Sequence, residues 1–210
     1  ESNHNGQLKM KFITISKFLL IIILPVLLFL LVLNLAGFDN SFFLKQFNKY
    51  GIDEGMPQSG IMHEKILNFV KGNSDELPGQ LNEREKEHLA DVRNAVRVST
   101  IILYIFIILF VMLLIASSFI LKFNNYIMNF VGKVLVFGGF LTIVLAAALF
   151  FLIYFDFDAA FESFHISLFR QGTYTFDPAK EMIVRLYPEE LFMDLGLRIS
   201  KWVFFVSAVA

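Results

Sequence analysis

Cysteine is absent from the 210 residues, which removes disulfides, thiolate catalysis and Cys-ligated metals together. Charge is scarce as well: only 18% of residues are Asp, Glu, Lys or Arg, against about 25% in an ordinary soluble domain. Neither sign dominates, the net charge being −1 and the pI about 6.5, so the chain lacks the basic footprint that nucleic acid requires. There is no G-x-S-x-G elbow around Ser59 and no phosphate-binding loop. What the chain has instead is apolar surface. Fully 56% of it is hydrophobic, Phe alone supplies 26 residues, and the mean hydropathy is +0.63. That is too apolar for a soluble globular enzyme and excludes disorder.

The charges leave three gaps, between Lys17 and Asp39, Arg97 and Lys122, and Lys133 and Asp156. Each is longer than the ~20 residues a helix needs to cross a hydrocarbon core. The expected fold is an all-α membrane protein with four transmembrane helices and a small, mainly helical extracytoplasmic cap. The expected segments are a cytoplasmic N-terminus 1–17, spans at 18–38, 98–121 and 134–155, a cytoplasmic loop 122–133, outer loops 39–97 and 156–198, and a shortened fourth span 199–210. Glu1–Lys9, ahead of the first Met, read as an extraneous leader. Orientation follows from Lys9, Lys11, Lys17, Lys122 and Lys133, whose segments carry almost no acid and belong in the cytoplasm. The site therefore belongs on the extracytoplasmic face of the cell membrane.

Within the outer loops, Ser41–Lys49 and Met62–Val70 have helical spacing, with Gly51, Gly55, Pro57 and Gly60 punctuating the stretch between them. Asn82–Arg97 reads as a helix entering the second span, and Asn82 with Glu85 fits a capping box. Asp158–Arg170 should prolong or closely follow the third span, placing Phe157, Phe161, Phe164 and Leu168 on one face, with Gly172 ending it. Asp177-Pro178 and Pro188-Glu189-Glu190 resemble helix starts. Gly138 and Gly139, inside a span, read as helix packing.

Few side chains are equipped for catalysis. Of four histidines, His4 lies in the leader and His63 sits on a polar face, where solvation is expected. His88 has Glu85 three residues before it and Asp91 three after; His165 has Glu162 three before. Residues three apart share a helix face, and a carboxylate beside an imidazole raises its pKa and fixes its tautomer, as a general base requires. Three readings stay open on spacing alone. One is acid–base catalysis by His88 and His165. Another is a metal-dependent membrane hydrolase using the two Glu-x-x-His units. The third is a non-enzymatic membrane scaffold.

The run Glu85-Lys86-Glu87-His88-Leu89-Ala90-Asp91-Val92 resembles a signature of the bacterial lipoprotein intramolecular transacylase (Lit) family. Phe161-Glu162-Ser163-Phe164-His165, then Gly172-Thr173-Tyr174 and Leu186-Tyr187-Pro188-Glu189-Glu190-Leu191-Phe192, resemble the same family in the same order. The resemblance implies transfer of the sn-2 acyl chain of a diacylglyceryl-cysteine lipoprotein to the cysteine α-amine, giving a lyso-form lipoprotein. It implies no acyl-enzyme, no cofactor and no metal, a diacylated lipoprotein and membrane lipid as partners, and His88 and His165 as catalytic residues. Glu85, Asp91, Arg93, Glu162 and Tyr174 would support them, Arg93 or Tyr174 as donors to an oxyanion. Phe157, Phe161, Phe164 and Phe169 would form a rim that excludes water.

Overall fold

The computed structural model describes residues 2–122, 125–169 and 174–209. Among these every regular element is an α-helix: α1 (Ser2–Ala36), α2 (Asn40–Lys49), α3 (Ile52–Gly55), α4 (Ser59–Val70), α5 (Glu83–Leu121), α6 (Asn125–Phe155), α7 (Phe157–Leu168), α8 (Ile183–Leu186) and α9 (Glu189–Val209). The all-helical expectation holds. The described residues fall into two compact units, Glu1–Leu33 with Ile101–Phe150 and Ile199–Ala210, and Asn34–Thr100 with Phe151–Arg198.

In the first unit, α1, α5 and α6 are long and apolar enough to cross a membrane. Their side chains remain uncovered where a soluble protein would bury them: Ile105, Ile108 and Met112 are all more than half exposed. Such a surface suits hydrocarbon as solvent. Close helix approach comes from small residues. A Cβ at Gly138 would lie 2.8 Å from Leu24 Cδ2 and 3.2 Å from its Cβ, so α1 and α6 pack through that glycine. Two buried hydroxyls are answered within their own helices, Thr142 by the Gly138 carbonyl at 2.7 Å and Ser207 by that of Val203 at 2.6 Å.

The second unit has a core of its own, with Phe43 and Phe47 from α2, Met62, Ile66, Phe69 and Val70 from α4, Leu89 from α5, Ile183 and Leu186 from α8 and Leu191 from α9. Its helix starts carry local signals. Asp39 caps α2 by accepting from Ser41 N–H at 3.0 Å. Asp156 interrupts the run from α6 and caps α7 by accepting from Ala159 N–H at 3.2 Å. The capping box is present as expected: Asn82 Oδ1 accepts from Glu85 N–H at 2.9 Å, and Glu85 Oε2 accepts from Asn82 N–H at 2.7 Å. Pro188 precedes α9, whose first turn carries Glu189 and Glu190, favourable against the helix dipole. Two ion pairs stitch α9 to the ends of α2, Arg198 to Asp39 at 2.6 Å and Lys49 to Asp194.

Three expectations need correction. Gly60 does not break the chain but lies in the first turn of α4. α7 ends at Leu168, since Phe169 is extended; Gly172 lies outside the described residues. Asp177-Pro178 starts a single turn rather than a helix, because the Glu181 carboxylate bonds back to Asp177 N–H at 2.6 Å and closes the segment on itself.

Candidate active site

The capping box fixes where α5 begins, and His88 follows on the first exposed-to-buried turn of that helix. His165 sits on α7 beyond the Asp156 cap. The fold brings the two rings together: their centroids are 6.4 Å apart and their planes 18° from parallel. Both residues are buried. Phe169 packs on both imidazoles, 5.0 Å from His88 and 5.4 Å from His165. Phe161 lies 4.0 Å and Phe164 5.5 Å from His165. Phe157 reaches the cluster through Phe161. An aromatic cluster therefore surrounds the two histidines, and it includes Tyr174, whose ring is 5.1 Å from His165.

The electrostatics run opposite to the expectation. Burial, then His165, lowers His88 from 6.5 to about 4, and Asp91 only partly opposes them. His165 is also lowered, by burial, against a smaller upward pull from the Phe161 carbonyl and Glu189. Desolvation of the charged form outweighs the carboxylates because the rings sit among phenylalanines. Both imidazoles are neutral at pH 7. His165 Nδ1–H donates to the Phe161 carbonyl at 2.7 Å, which leaves Nε2 as the acceptor. Among the described residues His88 Nδ1 is buried without a partner.

Most flanking carboxylates turn away. Glu85 is fully buried, but Oε1 accepts from Met182 N–H at 2.5 Å and Ile183 N–H at 2.7 Å, and Oε2 from Asn82 N–H. It is a backbone clamp across the fold, not a partner of His88. Glu162 is exposed, and Glu189 takes the role expected of it in the field on His165. Arg93 is bound to Asp75 at 2.7 Å and lies over Phe69, in neither case beside the paired rings. The two Glu-x-x-His units thus do not converge, and among the described residues no group of three or more His, Asp or Glu is arranged to hold a metal ion.

His63 is the clearest misreading. Instead of facing solvent it is 2% exposed, with Phe43 4.5 Å and Phe47 5.4 Å away and Tyr187 Oη 2.8 Å from Nδ1. Burial lowers it to about 4 and pushes Tyr187 up. Ser59 is spent on Asp53 at 2.6 Å. Sequence reasoning also missed Phe176, edge-on to His88 at 5.3 Å, and the Arg84–Glu181 pair at 3.1 Å behind it. No local spacing links Arg84 to Glu181; the acid two residues past Pro178 and Ala179 was the only visible hint.

A family model described as lipoprotein intramolecular transacylase Lit matches residues 18–192. The chain belongs to the Lit family. It is an acyltransferase of that class, a lipoprotein intramolecular transacylase. Among solved structures, the membrane-integral Lit of Bacillus cereus is similar over 97% of this chain and 93% of its own, with TM-score 0.80 and 21% identity. Two variants of that Lit protein, carrying arginine or alanine in place of one histidine, align over 100% of this chain and 93% of theirs. Their TM-scores are 0.79 and 0.74, at 19% and 20% identity. No curated protein matches this Lit-family chain.

Proposed function

We propose that the chain transfers the sn-2 acyl group of a diacylglyceryl-cysteine lipoprotein to that cysteine's α-amine, with His165 as the base and His88 turned toward the ester. The observation that carries this reading is the stacked pair of neutral, buried imidazoles at 6.4 Å.

An α-amine has a pKa of about 8 and must lose a proton before or as it attacks. His165 Nε2 is the free lone pair, held in place by the Phe161 carbonyl on Nδ1. The amine nitrogen bonds to the acyl carbonyl carbon, the bond from that carbon to the glycerol oxygen breaks, and the proton taken from nitrogen ends on the departing oxygen. From the neutral amine the transfer neither gains nor loses a proton; an ammonium first gives its extra proton to solvent. Donor and acceptor belong to one molecule, so clamping it supplies up to ~7–11 kcal/mol as effective concentration. His88 and Tyr174 border the place where the ester oxyanion develops, and donors there stabilise it. Neither a serine nor an enzyme-bound acyl group is needed.

Orientation rests on charge. The lysines at 9, 11, 17, 122 and 133 favour the cytoplasm, so the unit carrying the histidines faces outward in the cell membrane, with lipoprotein and membrane lipid as its partners. The test is mass spectrometry of N-terminal lipopeptides from a host without N-acylation. Expression should give N-acyl, S-monoacylglyceryl peptides. Acyl chains that stay on glycerol would overturn the reading.

A further inference from the structure

Arg84 and Glu85 are consecutive in the first turn of α5, and His88 follows one turn later on the same helix. Both hold the segment 174–183, a strap that returns from much later in the chain. Glu85 takes its far end through Met182 and Ile183 N–H. Arg84 takes its near end: Nη2 donates to the Thr175 carbonyl, Nη1 to Glu181 Oε1 at 3.1 Å. Glu181 Oε2 accepts from Asp177 N–H at 2.6 Å, so this carboxylate ties the guanidinium to the turn. Between these anchors lies Phe176. The Arg84 guanidinium sits 5.1 Å from its ring, and the ring stands edge-on to His88 at 5.3 Å.

We propose that the Arg84–Glu181 pair is a positioning device for the transacylation: it holds the strap shut so that Phe176 seals His88 and keeps water from the acyl ester. This rests on the reaction read above. A buried carboxylate such as Glu181, 6% exposed, is costly to desolvate and gains nothing over an apolar residue unless its geometry is used. Here the geometry sets the register of Phe176 against an imidazole one turn along the helix from the anchors. The seal matters because water competes with the amine. Water attack joins its oxygen to the acyl carbon, expels the glycerol oxygen with a proton, and releases a free fatty acid, leaving the amine unacylated. Loss of the pair frees only the Thr175–Glu181 end, since Glu85 still grips Ile183.

The full chain in lipid nanodiscs, given a synthetic diacylglyceryl-cysteine lipopeptide, tests this with Glu181→Gln and Arg84→Ala, and with Arg84→Lys as the conservative variant. Two quantities are read: the ratio of free fatty acid to N-acyl product, and the rate of carbethoxylation of each histidine by diethyl pyrocarbonate. His4 is exposed and His63 lies in the core of the same unit, so both serve as controls. Local opening should raise the fatty-acid share and the His88 rate about fivefold or more, with His63 unchanged and Arg84→Lys intermediate. An unchanged fatty-acid share, an unchanged His88 rate, or His63 and His88 accelerating together would overturn the proposal. If the wild type yields no N-acyl product while the histidine rates respond as expected, the seal stands and the reading of the reaction falls.

Discussion

The Nδ1 atom of His165 lies 2.7 Å from the carbonyl oxygen of Phe161, one turn back on α7. A helix carbonyl whose ordinary partner is the N–H four residues on is used here to hold an imidazole as well. It cannot donate, so the ring must carry its proton on Nδ1, and the lone pair is left on Nε2. In the proposed reaction that lone pair is in place before substrate arrives.

Replacing either ring should therefore abolish transfer. His165→Ala removes the proposed base and His88→Ala its stacked partner, and each should cost ~10²–10⁴ in rate, the usual span for a positioned acid–base group. The lipopeptide assay by mass spectrometry measures it. Full activity in both variants would dismiss the assignment.

The pH dependence of transfer should lack a limb near 6.5. Both imidazoles are lowered by burial, His88 to about 4 and His165 below its ordinary 6.5, so near neutral pH it is the substrate ammonium that titrates. The rate should rise steadily with pH toward the amine pKa of about 8. A break at the ordinary histidine value would contradict the buried pair.

Glu85 should matter to stability first. Its carboxylate accepts from three backbone N–H groups, two of them on the far strap. Glu85→Ala leaves these donors buried and unanswered, at ~3 kcal/mol or more. Thermal unfolding should fall markedly, and Glu85→Gln, which keeps one acceptor oxygen, should fall less. A Glu85→Ala protein as stable as the wild type would deny the clamp.

Acid should weaken the fold through His63 and His88. Each titrates near 6.5 when unfolded and near 4 when folded. Above 6.5 both states are neutral and nothing changes. Falling from 6.5 to 4, only the unfolded chain takes up protons, so stability is withdrawn, by ~3 kcal/mol per imidazole. His63→Phe, which fits the aromatic box formed by Phe43 and Phe47, should roughly halve that acid slope in denaturant titrations. An unchanged slope would show that His63 is hydrated.

The parts legible in the sequence were those whose cause is local. Charge-free gaps gave α1, α5 and α6; the Asn82–Glu85 reciprocal cap and Pro188 gave the starts of α5 and α9. His88 and His165 stood out because few other groups are suited to proton transfer. What stayed hidden depends on partners far along the chain. His63 looks polar until Tyr187 and two phenylalanines enclose it. Glu85 looks like a tuner of His88 until the backbone of Met182 and Ile183 claims it. Spacing on one helix says which groups share a face, not which distant segment covers that face.

The order of synthesis gives the strap one more consequence. Arg84 and Glu85 leave the ribosome long before Thr175, Glu181 and Ile183, the groups they bind. A nascent chain that has finished α6 holds a carboxylate answered only by its own helix cap and a guanidinium whose strap partners are not yet made. Assembly of this half of the molecule must wait for its last third, so an incompletely translated protein carries His88 but cannot yet act as an enzyme.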